Sequence, residues 1–426
     1  MTPSVTSAAE ASGDPAPLVV RTAAIADPGA LVALLPREEN LAWVHRGAGL
    51  VGWGAAAVIG TSGDDRFADA VSWWRTHSRA AVVRDEVRKP GTGLVGFGSF
   101  AFADEPGESV LVVPEVIVGR RGDTTWMTTI GRAAITTAPE VGPTQPPSPP
   151  SGVAFVDGAL SGTAWEGVVA EAVGRINDGD LEKVVLARDL VATADQDIDV
   201  RWPLQRLVES YPMCWTFHVA GLFGATPEML VRRERGLVTS RVLAGTIRRT
   251  GDDEHDLALA ATLARSSKDL EEHEYAVRSV AEALAPHCTS MNVPESPFVL
   301  HLPNVMHLAT DVAGVVENVG DEAASSLELA EALHPSAAVG GTPTEVAKSL
   351  ITEIEGMDRG RYAGPVGWMD AAGDGEWGIA LRSAEVAGRT VRLFAGCGIV
   401  ASSDPEAELA EAQAKFVPVR DAISGS

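Results

Sequence analysis

The sequence predicts a large mixed α and β protein, built as one α/β or α+β body or as two or three domain-sized units. Three observations lead there. The chain has 426 residues, 45% hydrophobic and 22% charged, enough apolar mass for a substantial core. Strand-like segments with turn residues between them fill residues 18–137. Beyond residue 150, helical blocks alternate with strands, and the chain ends in a helix.

Taken in order, residues 1–17 (MTPSVTSAAEASGDPAP) read as a disordered tail. They lack a basic n-region and an apolar h-region, so no signal peptide is expected. LVVRTAAI, LAWVHR, GFGSFAFA, SVLVVPEVIVG and TTWMTTIG are strand candidates, and a helix is expected from Asp64 to about His77. These make residues 18–138 an N-terminal part of the fold. Six prolines in PEVGPTQPPSPP, residues 139–150, forbid regular helix or sheet and predict a surface linker. Residues 151–426 form the motif-rich part. A helix around Thr163–Asp178 leads into the strand EKVVLARDLVAT. Strands follow at CWTFHVAGLFG and MLVRRERGLVTSRVLAG, then a helical block from about His255 to Leu284, and a strand-rich ending closed by a helix.

Charge and cysteine content exclude several classes. With 34 Lys+Arg against 58 Asp+Glu the net charge is −24, which opposes nucleic-acid binding and docking on anionic membranes. An anionic ligand would need local cations or a bound metal. Cys214, Cys288 and Cys397 are far apart, with no CxxC, so a reducing cytosol is the expected compartment. No apolar run approaches the roughly 18 residues of a membrane span.

The chemistry-bearing residues fall into a few groups. Ser266 begins a capping-box pattern (SSKD), and Asp269 and Glu272 share a helix face away from the apolar stripe of Leu270, Val277 and Leu284. Asp404–Pro405 starts the last helix, which carries Glu408 and Glu411 at i,i+3 and Lys415 four residues on. Two such carboxylate pairs could hold a hard divalent ion, or be solvated faces with an ordinary helix ion pair. Gly396 and Gly398 break an apolar strand that runs into that helix, and Ala244-Gly245-Thr246 breaks another; each is a close-approach site or a bulge. YAGPVGWMDAAGDGEWGIALRSAEV reads as a hairpin turning at AGDG. Its alternation places Arg382 on a face cleared by Gly378 and Ala380, free for a planar carboxylate or paired to a local acid. Lys183 opens the KVVLAR strand and Glu228 lies between Pro227 and Met229; neither stands out on chemistry alone.

In this order, EKVVLARDL, GATPEMLV, LAGTIRR, SSKDLEEHEYAV, VMHLAT, LHPSAAVGGTP, YAGPVGWMDAAGDGEWGIALRSA and AGCGIVASSDPEAELAEAQAK resemble the chorismate-utilising enzymes over residues 160–420. The resemblance implies one α+β body of two antiparallel sheets packed face to face with helices outside, so residues 139–150 become a surface crossover. Within the family, LAGT and LHPSAAVGG look like the isochorismate synthases. Amine-transferring relatives carry a lysine where this chain has Ala244, which leaves water as the nucleophile, and no glutaminase subunit is expected.

The implied reaction adds water at C2 of chorismate and expels the C4 hydroxyl. By resemblance Lys183 is the base and Glu228 the acid. Glu272 and Glu411 match magnesium ligands, with Asp269 and Glu408 beside them. Arg382 and Tyr362 match positions on the enolpyruvyl carboxylate, and the backbone at Gly396 and Gly398 lies against the same group. Lys415 matches the carboxylate–magnesium site, and Gly245, Thr246, His307 and Ala338 match the ring-lining positions. The implied protein is a cytoplasmic monomer using Mg²⁺ and a small-molecule substrate. Salicylate synthase, which also eliminates pyruvate, and a non-catalytic chorismate-binding homologue are the alternatives.

Overall fold

The computed structural model describes residues 6–7, 17–132, 139–301, 305–316 and 323–424, and only the backbone of residues 6, 7, 246, 268 and 272. The expected tail falls mostly outside the described residues, as do residues 133–138 at the end of the N-terminal part.

The fold is α+β, and the described residues form an 11-stranded and a 13-stranded sheet. Among the described residues pairing is antiparallel apart from Thr6–Ser7 beside Ala57–Thr61 and Val19–Ala24 beside Val82–Asp85, so the sheets are mixed at their margins. Both sheets take strands from either side of residues 139–150. One apolar cluster joins them: Trp43, Leu50, Ile117 and Trp126 of the larger sheet pack with Phe97, Leu111, Trp368 and Trp377 of the smaller. A second cluster fills the outer face of the larger sheet, where Phe416 and Val419 of the last helix and Leu204 and Leu207 of Arg201–Ser210 cover Val44, Phe223 and Leu393. Residues 139–150 form no regular element but are strapped down. The Thr144 hydroxyl donates to Leu35 O at 2.8 Å, and Arg201 Nη1 donates to Gln145 O at 3.2 Å. Among the described residues no helix is long and apolar enough to cross a membrane.

Several expected elements differ in detail. The 255–284 block is two helices, Asp253–Leu263 and Ser267–Leu284. Ser266 caps the second by accepting from the Asp269 amide, while its own amide bonds Leu263 O, so only half of the capping box forms. CWTFHVAGLFG folds into two strands, Trp215–Val219 and Leu222–Thr226, turning at Ala220–Gly221, both with positive φ. The strand-rich ending is interrupted by helices Ser326–Ala332 and Thr344–Ile354. The hairpin turns at 371–374 as expected, but its second strand stops at Ile379. The chain resumes at Ser383–Ala387 in the other sheet, so the alternation that placed Arg382 does not run through it.

Three such crossings matter. Pro114 lies between Ser109–Val113 of one sheet and Val116–Arg121 of the other. Residues 227–228 link Leu222–Thr226 to Met229–Glu234, and residues 380–382 link Gly375–Ile379 to Ser383–Ala387. The last two crossings touch: Ile379 N donates to Glu228 O at 3.1 Å, and Ala225 N donates to Arg382 O at 3.2 Å. Glu228 and Arg382 therefore share one corner where the sheets exchange strands.

Candidate active site

The site grows from that corner. Glu228 is 8% exposed, with its amide bonded to the Thr226 hydroxyl. Burial pushes its carboxyl up to about 7, although Lys183, Lys415 and Arg382 pull the other way. It is thus a carboxyl that still holds its proton near neutrality with Lys183, Lys415 and Arg382 around it. Arg382 adopts φ +48°, a conformation that an arginine holds only when its surroundings impose it. A Cβ at Gly224 would come within 2.6 Å of Arg382 O, so glycine is what lets the two crossings approach.

Lys183 starts the Lys183–Thr193 strand, where it pairs with Thr342, and its side chain lies across Gly398 of Thr390–Ile399. A cavity of about 350 Å³ opens beside it, lined by Ala244, Ala338, Thr342, Glu271 and Tyr275. Gly396 lies under the Tyr362 hydroxyl: an added Cβ would meet that oxygen at 3.2 Å and Leu186 O at 2.9 Å. Tyr362 is itself buried, stacked on Phe394 at 5.1 Å, and burial pushes its hydroxyl pKa up.

The Pro405–Ile423 helix supplies the acidic wall. Asp404 caps it by accepting from the Ala407 amide, and Pro405 occupies the first turn. Oxygens of Glu408 and Glu411 and Cys397 Sγ all lie within 4.8 Å of one another. Burial raises the Glu408 carboxyl, which accepts from the Ser403 hydroxyl at 2.8 Å and repels Glu411. Burial would raise Glu411 too, but Lys415, at 2.7 Å, together with Arg248 and Arg382 holds it below the usual range. Lys415 Nζ also donates to Gly396 O at 2.8 Å. Burial pushes the Cys397 thiol up to about 12, so it stays protonated and leaves the carboxylates as the available donors. Oxygen donors converging from one helix face suit a hard divalent cation such as Mg²⁺.

The opposite wall is the Leu237–Arg248 strand. Its register slips between Ala244 and Thr246, with Gly245 at φ +75°. A Cβ there would meet Asp269 Cβ at 3.2 Å, so the bulge seats directly on the Ser267–Leu284 helix. His307 pairs with Thr246 across the strands and bonds the backbone of Gly245. Burial, with Arg382 and Lys415 nearby, pushes its pKa down to about 4, so the imidazole is neutral at pH 7. Glu411 faces the same ring. Asp269, Gly245, His307 and Glu411 are thereby linked across the site. The side chains of Thr246 and Glu272 lie outside what the structure describes; their backbone places Thr246 beside the bulge and Glu272 one turn after Asp269.

Sequence reasoning missed the support behind these groups. Glu355 and Arg359 form a buried pair at 2.6 Å. Glu355 accepts from Ala187 N, while Arg359 donates to Val185 O and Val339 O. One ion pair thus fixes both the Lys183 strand and the loop carrying Ala338. The signal was an i,i+4 Glu–Arg spacing at the end of Thr344–Ile354, which by itself reads as a surface pair.

The chain is similar to several known proteins. The family described as chorismate binding enzyme matches residues 30–424. The isochorismate synthase DhbC of Bacillus subtilis is 42% identical over 259 residues, covering 58% of this chain and 64% of that protein. The salicylate biosynthesis isochorismate synthase of Pseudomonas aeruginosa is 31% identical over 407 residues, covering 90% of this chain and 84% of its own. A Bacillus anthracis structure assigned as the isochorismate synthase DhbC aligns with TM-score 0.75 and 33% identity, covering 93% of this chain and 99% of its own. The structure of MenF from Escherichia coli aligns with TM-score 0.78 over 97% of both chains at 24% identity, a likeness of fold.

Proposed function

The chain belongs to the chorismate-binding enzyme family, and from that premise we propose that it is an isochorismate synthase, a stand-alone isomerase converting chorismate to isochorismate. The observation that carries the reading is Glu228. A carboxyl kept protonated near pH 7 beside Lys183 is suited to give a proton to a departing hydroxyl. Lys183, on the side of the cavity lined by Ala244 and Ala338, takes the proton of the water that adds at C2. The methyl of Ala244 offers no amine there, so water is the incoming group.

Arg382 and the Tyr362 hydroxyl hold the enolpyruvyl carboxylate, with Gly396 and Gly398 leaving room for it. Neutral His307 and the Gly245 bulge line the ring, alongside Thr246. Glu272 and Glu411 would hold Mg²⁺, with Asp269 and Glu408 supporting them, and Lys415 steadies Glu411. The bound ion would offset the charge of the substrate's ring carboxylate. A reducing cytosol fits three separated free thiols.

The test is incubation of the protein with chorismate and Mg²⁺, with products separated by chromatography and pyruvate followed by coupled lactate dehydrogenase. Reversible interconversion of chorismate and isochorismate near neutral pH, with little pyruvate, is expected. Stoichiometric pyruvate and salicylate without free isochorismate would make it a salicylate synthase. No turnover of chorismate at all would leave only a binding homologue.

A further inference from the structure

Cys397 stands in the acidic wall of the site, and the magnesium reading makes no use of it. It lies between Gly396 and Gly398 on the Thr390–Ile399 strand. The two glycines face Tyr362 and Lys183, so strand alternation turns Cys397 the other way, against the last helix. There it is fully buried, in one apolar cluster with Ala412. Its Sγ donates to Glu408 O at 3.4 Å and lies 3.9 Å from Lys415 Nζ. Side-chain oxygens of Glu408 and Glu411 stand within 4.8 Å of that sulfur and of each other. Among the described residues no other three His, Cys, Asp or Glu side chains converge so closely.

One sulfur and two carboxylates are a mixed donor set. Mg²⁺ prefers oxygen and leaves the thiol its proton. Zinc and cadmium take thiolate and carboxylate together. With Zn–S near about 2.3 Å and Zn–O about 2.0–2.2 Å, the ligand atoms of a tetrahedral ion stand roughly 3.4–3.6 Å apart. Closing the present set therefore takes about 1 Å of movement, within reach of side-chain rotation in two half-buried glutamates. Lys415 keeps its bond to Gly396 O when Glu411 turns to an ion. A dication also reverses the local electrostatics: carboxylates that disfavour a thiolate beside them become its co-ligands.

We propose that Cys397, Glu408 and Glu411 form a site for a thiophilic divalent cation of the zinc and cadmium class, and that this ion displaces Mg²⁺ from the cleft. On binding, the S–H bond breaks, a sulfur–metal bond forms and the proton passes to solvent, with no change of oxidation state. Water fills the remaining coordination position. Glu411 cannot serve both ions, so the soft cation stops a site that works with the hard one. The displacement, though not the binding, rests on the reading of Glu411 as a magnesium ligand.

Titration of the intact, Mg²⁺-free protein with cadmium chloride tests this, read by the ultraviolet charge-transfer absorbance of cadmium-bound thiolate and by calorimetry. A band that saturates at one cadmium per chain is expected. Cys397→Ser, close in shape and able to keep the bond to Glu408 O, should lose the band and bind cadmium at least tenfold more weakly. Cys397→Ala should do the same, which keeps the test decisive if circular dichroism shows the serine variant misfolded. Glu408→Gln should weaken cadmium at least tenfold with the thiol still in place. Excess Mg²⁺ should raise the cadmium concentration at half-saturation at least tenfold, and Cys288→Ser should leave the band unchanged. No band, a band that survives replacement of Cys397, a Glu408→Gln variant that binds as wild type, or a titration that excess Mg²⁺ does not shift overturns the proposal. None of these results depends on turnover, so they are separate from whether the cleft makes isochorismate.

Discussion

Glu228 shows how a single side chain can be placed for acid chemistry by its surroundings. Its carboxyl sits near 7 because burial outweighs Lys183, Lys415 and Arg382. If Glu228 is the acid, kcat should fall as pH rises through about 7, as the proton it must give is lost. Glu228→Gln should lower kcat by roughly 10²-fold or more and leave chorismate binding little changed, checked by steady-state kinetics and calorimetry. The same shift has a stability consequence. A carboxyl whose native pKa is raised adds stability below its ordinary value near 4.5, and that stability is lost as pH rises through about 7. Urea unfolding of wild type should therefore lose roughly 3 kcal/mol more between pH 4.5 and pH 8 than unfolding of Glu228→Gln. Equal losses would mean that the Glu228 carboxyl titrates in the folded protein as it does in the unfolded chain. Lys183→Ala should also cost roughly 10²-fold or more in kcat, and a variant with near wild-type kcat would assign the base elsewhere.

Elements decide which of these residues meet. The last helix was legible down to its cap, because Asp-Pro at a start and Glu408, Glu411 and Lys415 on one face are local signals. Lys183 and Gly398 were legible as strand residues, but their contact depends on pairing between strands some 200 residues apart, which no local pattern encodes. Arg382 was singled out for a reason that the structure replaces. It stands out of the strand because the chain leaves one sheet for the other at residues 380–382, with φ +48°. The Glu355–Arg359 pair was illegible for the opposite reason: its spacing is ordinary and its burial is tertiary. Its bonds to Val185 O, Ala187 N and Val339 O make it the brace of the Lys183 strand and the Ala338 loop. Glu355→Ala leaves a buried guanidinium unpaired and should cost roughly 3–5 kcal/mol in urea unfolding. A loss below about 1 kcal/mol, the scale of a surface pair, would show that the brace is not needed.

At the scale of the whole molecule, the expectation of one α+β body with two facing sheets came from the resemblance; composition alone had left two or three domains equally open. The margins of the sheets escaped it, since the two short parallel pairings are set by neighbours distant in sequence. Charge is the property of the whole that bears most directly on function. On the proposed function, a protein of net charge −24 must draw an anionic substrate into a cleft that already holds Glu408 and Glu411. Arg382 supplies a local cation, and so does Lys415, but Lys415 is committed to Glu411 at 2.7 Å and to Gly396 O. Without a divalent ion, a carboxylate entering beside Glu411 meets repulsion in a poorly solvated site, where charges are weakly screened. Chelator should therefore weaken chorismate binding itself, by tenfold or more in calorimetry, and abolish turnover, with Mg²⁺ restoring both. Circular dichroism and urea unfolding should barely change, because the sheets and their cores do not depend on the ion. Glu411→Gln should behave like the chelated protein even in excess Mg²⁺. Chorismate bound equally well in chelator, or full activity of Glu411→Gln there, would remove the metal from this site and leave the arginine and lysines to hold the substrate alone.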